Sequence, residues 1–463
     1  GRKSDVLVGA TLPAKKGQVY FGRFYLGKRR APTVICSHLS HGNRRRFRKY
    51  AANSETSEHT PFFRNKMPDK LASKARSAHR VQILPHTSEL TLASHGPKAH
   101  FDQEDIMDLT LCGQSAFYYH RIPPQVLGLY PAISLGNMDR RCCGLGSHAV
   151  VKDLLHAPLH RLVFTRVQSG SRSLFKSHLL TQEPPPGSFR QTEHGFDVTS
   201  PEFTLLSLAT QVSRNQLLMA CYEMCGSFAV FTPCERTQQQ LDEAISLKLI
   251  PPNCGWERVV DTKGNDTNLW KRPPLLSAAD IAAFAKQAAG LRGVKQLRWA
   301  AEHMTGQTAS PFEVQTSILV SLPRNEGGMG INIANNVRIP LSDAARSLYD
   351  KTCCYADILI ESNTDSMGVI LECQGRSAHD GEAASLSDAE RTTALTSMGY
   401  DVIQITYEQI KDTKSFNNIA ELIHKKAGLP YIPKTDQERT TEDALRRELL
   451  VDWDELFAVK PAS

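Results

Sequence analysis

The stretch Tyr355–Gly375, "YADILIESNTDSMGVILECQG", decides how the rest of the chain is read. Two apolar runs, "YADILI" and "GVILECQ", flank "SNTDS" (362–366), whose residues are those that turns favour, so the stretch predicts a β-hairpin. Alternation puts Ile370, Glu372 and Gln374 on one face of the second strand, and Val369, Leu371 and Cys373 on the other. With the turn centred on Thr364–Asp365, paired residue numbers sum to 729 and Asp357 falls opposite Glu372. Directly opposed side chains have Cβ atoms about 5 Å apart, where like charges repel. Such a pair needs a proton or a cation between its carboxylates; the other reading is a surface hairpin whose acids face water. Magnesium suits the first, because it takes oxygen ligands, keeps several waters and asks for only one or two protein carboxylates.

The flanks add chemistry-bearing residues. Upstream, "SPFE" (310–313) predicts a helix start, with Ser310 and Glu313 in capping-box spacing and Pro311 at the first position. That alone accounts for all three residues. Downstream, "SLSDAERTTALTSMGYDVIQIT" (385–406) predicts a helix stopped at Gly399 and then a strand. Asp388 and Arg391, three apart, are spaced for a helix-surface ion pair.

The ordered set is more specific than any member of it. An acid in the first hairpin strand, Glu-x-Gln-Gly in the second, His379, then D-x-x-R-x-x-x-L-x-x-x-G and a V-I-Q-I-T strand resembles the very-short-patch-repair-like branch of the PD-(D/E)XK nucleases. The likeness runs from about Ser310 to Ile410. It implies a restriction-endonuclease-like mixed sheet flanked by helices, cutting DNA with Mg²⁺ or Mn²⁺. It also implies that Asp357 and Glu372 are metal ligands, with Glu313 approaching the metal or its water. His379 would be an acid/base or phosphate contact, and Arg391 and Arg376 would be nucleic-acid contacts. Gln374 stands where the pattern ends in Lys, and can hydrogen-bond a water but brings no positive charge. His379 lies one residue later than the pattern expects.

Before this region, "VTSPEFTLLSLATQV" (198–212) predicts a helix capped by Ser200 with Pro201 at its first position, and "NQLLMACYEMCGSFAVF" (215–231) a second helix ending at Gly226. "LCGQSAFYYHRIPP" (111–124) reads as a short helix or turn stopped by Pro123–Pro124, and "LHRLVFTRV" (159–167) as a strand. Together, the 111–124 and 198–209 stretches look like the abortive-infection E type of antitoxin, which implies transcriptional regulation and a nucleotidyltransferase toxin as partner. Residues 250–275 are Pro-, Gly- and Asn-rich and read as a linker. The segments 277–290 and 291–304 read as two helices, the second basic.

The expected organisation is therefore a basic, low-complexity arm (1–105), an antitoxin-like α/β domain (106–250), a linker with helices (251–306), a nuclease-like domain (307–430) and a C-terminal tail with a short helix (431–463). The chain has 41% hydrophobic and 22% charged residues and a net charge of +7. The charge is uneven: residues 1–100 hold 20 Lys+Arg against 5 Asp+Glu, leaving 35 against 43 elsewhere. A basic arm on an acidic body suits contact with a polyanion such as DNA, or a solvated tail. No apolar run reaches a membrane span and no signal-peptide pattern opens the sequence, so the expected setting is cytoplasmic with no membrane partner. Eleven scattered cysteines without a CxxC pair read as thiols rather than a disulfide framework, and Cys36-x-His38-x-x-His41 has the makings of a metal site, although a His-rich basic segment produces such a pattern by chance. The function that follows is a metal-dependent DNA endonuclease in a defence or toxin–antitoxin setting. The alternative is a catalytically inactive, nuclease-fold DNA-binding regulator. A cognate toxin, another defence protein or a second copy in a homodimer are the protein partners to test.

Overall fold

Ser200 and Pro201 open a helix, as the sequence predicts. The Ser200 hydroxyl accepts from the Phe203 N–H, and Pro201 takes the first position of the helix Pro201–Leu208, where its missing N–H costs nothing. Ser213 and Gln216 form a capping box on the next helix, Arg214–Cys225, which ends at Gly226. Every residue from Gln216 to Cys225 is buried, so this helix runs through the interior instead of over it.

The structure is a computed structural model and describes residues 109–133, 145–155, 157–169, 173–250, 256–261, 263–375 and 382–457, with backbone alone for 382–385. The basic segment 1–105 with its Cys36/His38/His41 pattern, and Arg376 and His379, lie outside the described residues.

The body is mixed α/β. Strands β1 (Thr110–Leu111), β2 (Leu159–Val163), β3 (Phe175–Leu179), β4 (Phe189–Gln191) and β5 (Asp197–Thr199) form a mixed sheet in the order β3-β2-β1-β5-β4. A second sheet, β6-β8-β7, joins β6 (Phe228–Val230), β7 (Glu257–Val260) and β8 (Asp266–Lys271). Two of its three strands come from the stretch that reads as a linker. Asp261 accepts N–H bonds from Lys263 and Asn265 at the β7–β8 turn, and Trp270 of β8 is buried in the core. Gly and Asn mark a hairpin turn as readily as a linker, and composition does not separate the two.

The third sheet, β12-β11-β10-β9, contains the hairpin. β9 (Ile333–Pro340), β10 (Cys353–Ile360) and β11 (Gly368–Gln374) run antiparallel in turn. The helix Glu382–Ser397 then crosses over to β12 (Tyr400–Thr406), parallel to β11. A right-handed crossover helix is the usual way to bring a strand back parallel. Ile358, Leu359 and Ile360 pair with Leu371, Ile370 and Val369, the register predicted from the turn.

One hydrophobic cluster draws on Cys112, the Arg214–Cys225 helix, the helix Pro311–Ser321, strands β10 and β11, and Leu456. The C-terminal stretch that reads as a tail is part of this core: Asp436–Leu449 is a 14-residue helix with Leu445 and Leu449 buried. Beyond it, Trp453 donates from its indole to the Glu223 carboxylate at 2.5 Å. Arg121 grips the same carboxylate from Nε at 2.8 Å and Nη2 at 2.6 Å, and donates from Nη1 to the Trp453 carbonyl. Three segments distant in sequence thus meet at Glu223, which also accepts from the Val230 N–H.

Burial, not distance, sets what this contact is worth. The Arg439–Asp436 pair is equally short at 2.6 Å, but its side chains are 58% and 98% exposed, against 3% and 1% for Arg121 and Glu223. An exposed pair contributes about 0–1 kcal/mol, whereas removing one partner of a buried pair costs about 3–5 kcal/mol because the other charge is stranded. Glu223→Ala is therefore expected to lower unfolding stability by an amount in the upper range, and Arg439→Ala to leave it within about 1 kcal/mol. Denaturant titration of both variants checks the contrast; equal losses would remove Glu223 from its central role.

Candidate functional site

The pairing that joins β10 to β11 stops at Ile358 and Leu371. One step further in the same register are Asp357 and Glu372. Asp357 turns its Oδ2 to accept the Cys373 N–H at 2.8 Å, so a side chain takes over where the backbone ladder ends. Glu372 is 2% exposed. Its Oε2 accepts from Arg391 on the crossover helix, and its Oε1 is buried with no hydrogen-bond partner. An unpartnered buried carboxylate oxygen forfeits about 1–3 kcal/mol or more, and a water or a cation completes such an atom.

Glu313 arrives from the helix Pro311–Ser321. Ser310 caps this helix as expected, its hydroxyl accepting from the Glu313 N–H at 3.2 Å. The reciprocal limb differs from the predicted capping box. Glu313 accepts from the Ala309 N–H at 2.8 Å and from the Ser310 hydroxyl at 2.9 Å, not from the Ser310 N–H. The bond reaches one residue further back, and leaves the carboxylate buried and within the field of Asp357.

Three acids therefore share a poorly solvated place. Burial first, and the Asp357 charge second, push Glu313 and Glu372 up to about 8. Burial also raises Asp357, opposed by the Cys373 N–H and by Arg391. Asp388, one helical turn before Arg391, adds further negative charge that raises both Asp357 and Glu372. Two unit charges about 5 Å apart repel by about 3 kcal/mol at an effective dielectric constant of about 20, so the cluster takes up protons or a cation. Arg391, 25% exposed, supplies one positive charge. The expected surface ion pair is thus redirected: the Arg391 guanidinium bonds to Glu372 across the sheet face, with Asp388 acting through its field.

Gln374 is buried two residues beyond Glu372 on β11. Among the described residues no three His, Cys, Asp or Glu side chains form a metal-holding group. A magnesium-type ion asks for fewer, and the Asp357 and Glu372 oxygens are the hard donors it takes. The unpartnered Glu372 Oε1 fits such an ion.

One residue at the site carried no signal in the sequence. Asn335 of β9 donates from Nδ2 to the Asp357 carbonyl at 3.0 Å and to the Ser317 hydroxyl at 2.7 Å. In an Asn-rich strand, only its inward-facing position sets it apart from Asn336.

The raised carboxyls tie stability to pH. Folded Glu313 holds its proton up to about 8, while the unfolded side chain releases it near 4.5. Its stabilising contribution is complete below 4.5 and is lost as pH rises through about 8. Glu313→Gln keeps an acceptor for the cap and removes the charge. The metal-free wild-type melting temperature is expected to fall across this window, and that of Glu313→Gln to fall less. Parallel slopes in a pH series of thermal melts would show that Glu313 is solvated.

No protein-family model, curated protein or solved structure matches this chain, so its own geometry carries the functional reading.

Proposed function

We propose that the chain is a metal-dependent DNA endonuclease that hydrolyses phosphodiester bonds at Asp357 and Glu372. The observation that carries this reading is the pair itself. A half-buried carboxylate, Asp357, and a buried one, Glu372, lie on adjacent strands where the ladder opens, with one Glu372 oxygen unpartnered and Arg391 beside it. The order of elements supports it: a helix bearing Glu313, then β9, β10, β11, a crossover helix bearing Arg391, and parallel β12. That order suits a restriction-endonuclease-like core.

Asp357 and Glu372 would hold Mg²⁺ or Mn²⁺, which supplies charge stabilisation at the phosphate and a more acidic bound water. The other roles fall to side chains. Glu313, whose carboxyl burial and the Asp357 charge push up to about 8, can accept or return a proton. Arg391 bonds to Glu372 and would supply a charged donor to a phosphate oxygen. The Gln374 amide can orient a water or phosphate oxygen but adds no charge. His379 and Arg376 are proposed as further phosphate or proton-transfer contacts. The basic arm supplies sequence-independent attraction to DNA.

The second reading, a DNA-binding regulator or antitoxin without catalysis, is favoured by two features. Gln374 replaces the cation that the pattern carries, and Arg391 already occupies one oxygen of Glu372.

The test is plasmid nicking in Mg²⁺ or Mn²⁺ by the full chain, Asp357→Ala and Glu372→Ala. Cleavage by the wild type and a loss of at least about 100-fold in each variant, with each variant still folded by circular dichroism, is the expected result. DNA binding without cleavage by all three would put the regulator reading first. Deleting residues 1–100 is expected to weaken DNA binding and to flatten the dependence of log Kd on log salt concentration; an unchanged slope would make the arm a bystander.

A further inference from the structure

Strand β10 changes face at Asp357. Strict alternation would put Cys354, Ala356, Ile358 and Ile360 on one side of the sheet. Instead, Cys354 and Ala356 pack with Ile370, Ala394 and Leu395, whereas Ile358 and Ile360 pack in the central core with Leu371 and Ile318. β9 changes with it, because Ile339 belongs to the first group and Ile333 packs against the second. At the change, the β9–β10 ladder passes from Ala356↔Val337 to Ile358↔Asn335 without pairing Asp357. Asn336 there has φ +50°, a left-handed conformation that Asn tolerates better than most residues.

Asp357 thus sits where both of its neighbours' ladders open. On the β11 side its own carboxylate fills the gap, through the Cys373 N–H. On the β9 side the Asn335 amide fills it, through the Asp357 carbonyl. The second hydrogen of the same amide goes to the Ser317 hydroxyl, which donates in turn to the Glu313 carbonyl at 2.6 Å. One planar amide therefore ties the strand carrying Asp357 to the helix carrying Glu313. Its oxygen is fixed as well: Thr305 donates to Oδ1, and the Thr305 hydroxyl and N–H both meet the Tyr222 hydroxyl, at 2.8 and 3.0 Å. Asn335 and Ser317 are buried, and Tyr222 is fully so. Gly306, φ +142°, lets its segment approach closely, since a Cβ there would lie 2.9 Å from the Asn335 carbonyl oxygen.

We propose that Asn335 is a positioning residue that sets the spacing between Glu313 and Asp357, held in register by Thr305 and Tyr222. The proposal deepens the nuclease reading, but its geometric part stands without a metal. Groups that orient metal ligands typically change affinity by about 10–100-fold when removed.

The experiment uses the full-length chain as wild type, Asn335→Ala, Thr305→Val and Thr305→Ser. Two quantities are measured: hydrogen exchange at the Cys373 amide without metal, and Mn²⁺ affinity by calorimetry with Mn²⁺ alone. Asn335→Ala is expected to speed Cys373 exchange and weaken Mn²⁺ by at least about tenfold. Thr305→Val should move both the same way by less, and Thr305→Ser, which keeps the hydroxyl, should restore wild-type values. If Asn335→Ala loosens the whole chain, the Thr305 pair decides, because Val and Ser there differ in the hydroxyl that fixes Asn335. Wild-type exchange at Cys373 in both Asn335→Ala and Thr305→Val would overturn the proposal. Faster exchange in these variants, in a chain whose wild type binds no Mn²⁺, would uphold the positioning role and remove the metal from the nuclease reading.

Discussion

The Glu223 carboxylate is the constraint on which the body of the protein depends. It receives the Arg121 guanidinium, the Trp453 indole and the Val230 N–H, and so joins an early helix, the central helix, the second sheet and the C-terminal turn. Burying that charge is costly unless every oxygen finds donors, and here both do. The consequence reaches the candidate site, because Tyr222 precedes Glu223 on the same helix. A helix fixed in rotation by Glu223 presents the Tyr222 hydroxyl to Thr305, and Thr305 orients Asn335. The distant core thereby helps to place two carboxylates of the candidate site.

At that site, satisfaction is incomplete, and the contrast with Glu223 is informative. Glu223 has a partner for each oxygen; Glu372 has one for Oε2 and none for Oε1. Structural burial of an acid ordinarily completes its hydrogen bonds, so a buried acid left half-paired beside two others suits a place that receives a ligand. Burial and the Asp357 charge raise the proton affinities of Glu313 and Glu372. They also distinguish these acids from the half-buried Glu438, held down to about 2 by Arg324 and by the Thr435 cap.

What the sequence made legible were the features set by neighbours along the chain. Ser200 and Pro201, Ser310 before Glu313, and the turn at 362–366 each act within a few residues, and from the turn follows the register that brings Asp357 beside Glu372. Features set by remote partners were hidden. The Asp436–Leu449 helix reads as a tail because its apolar residues are few, and their burial depends on a core built some hundred residues earlier. The β7–β8 hairpin reads as a linker because its turn residues are those of a linker. Asn335 gave no sign because its role rests on Thr305, Ser317 and Asp357, none near it in sequence. The strand also departs from period two at Asp357, and alternation is the rule on which a strand reading depends.

Gln374 bears on the proposed chemistry through charge. With Asp357, Glu372, Glu313 and Asp388 contributing negative field and Arg391 the cation bonded to Glu372, the cluster is acid-rich. A Lys at 374 would place a second cation close to these acids, lowering their proton affinity and competing with a divalent ion. Gln brings no such competitor, so the proposed site would keep more of its attraction for a metal while lacking a charged contact for the phosphate. In the proposed site that contact would be left to Arg391, which bonds to Glu372 Oε2 while Oε1 is the oxygen open to an ion. In such a site, a neutral residue at 374 is compatible with chemistry that depends on both metal binding and phosphate binding.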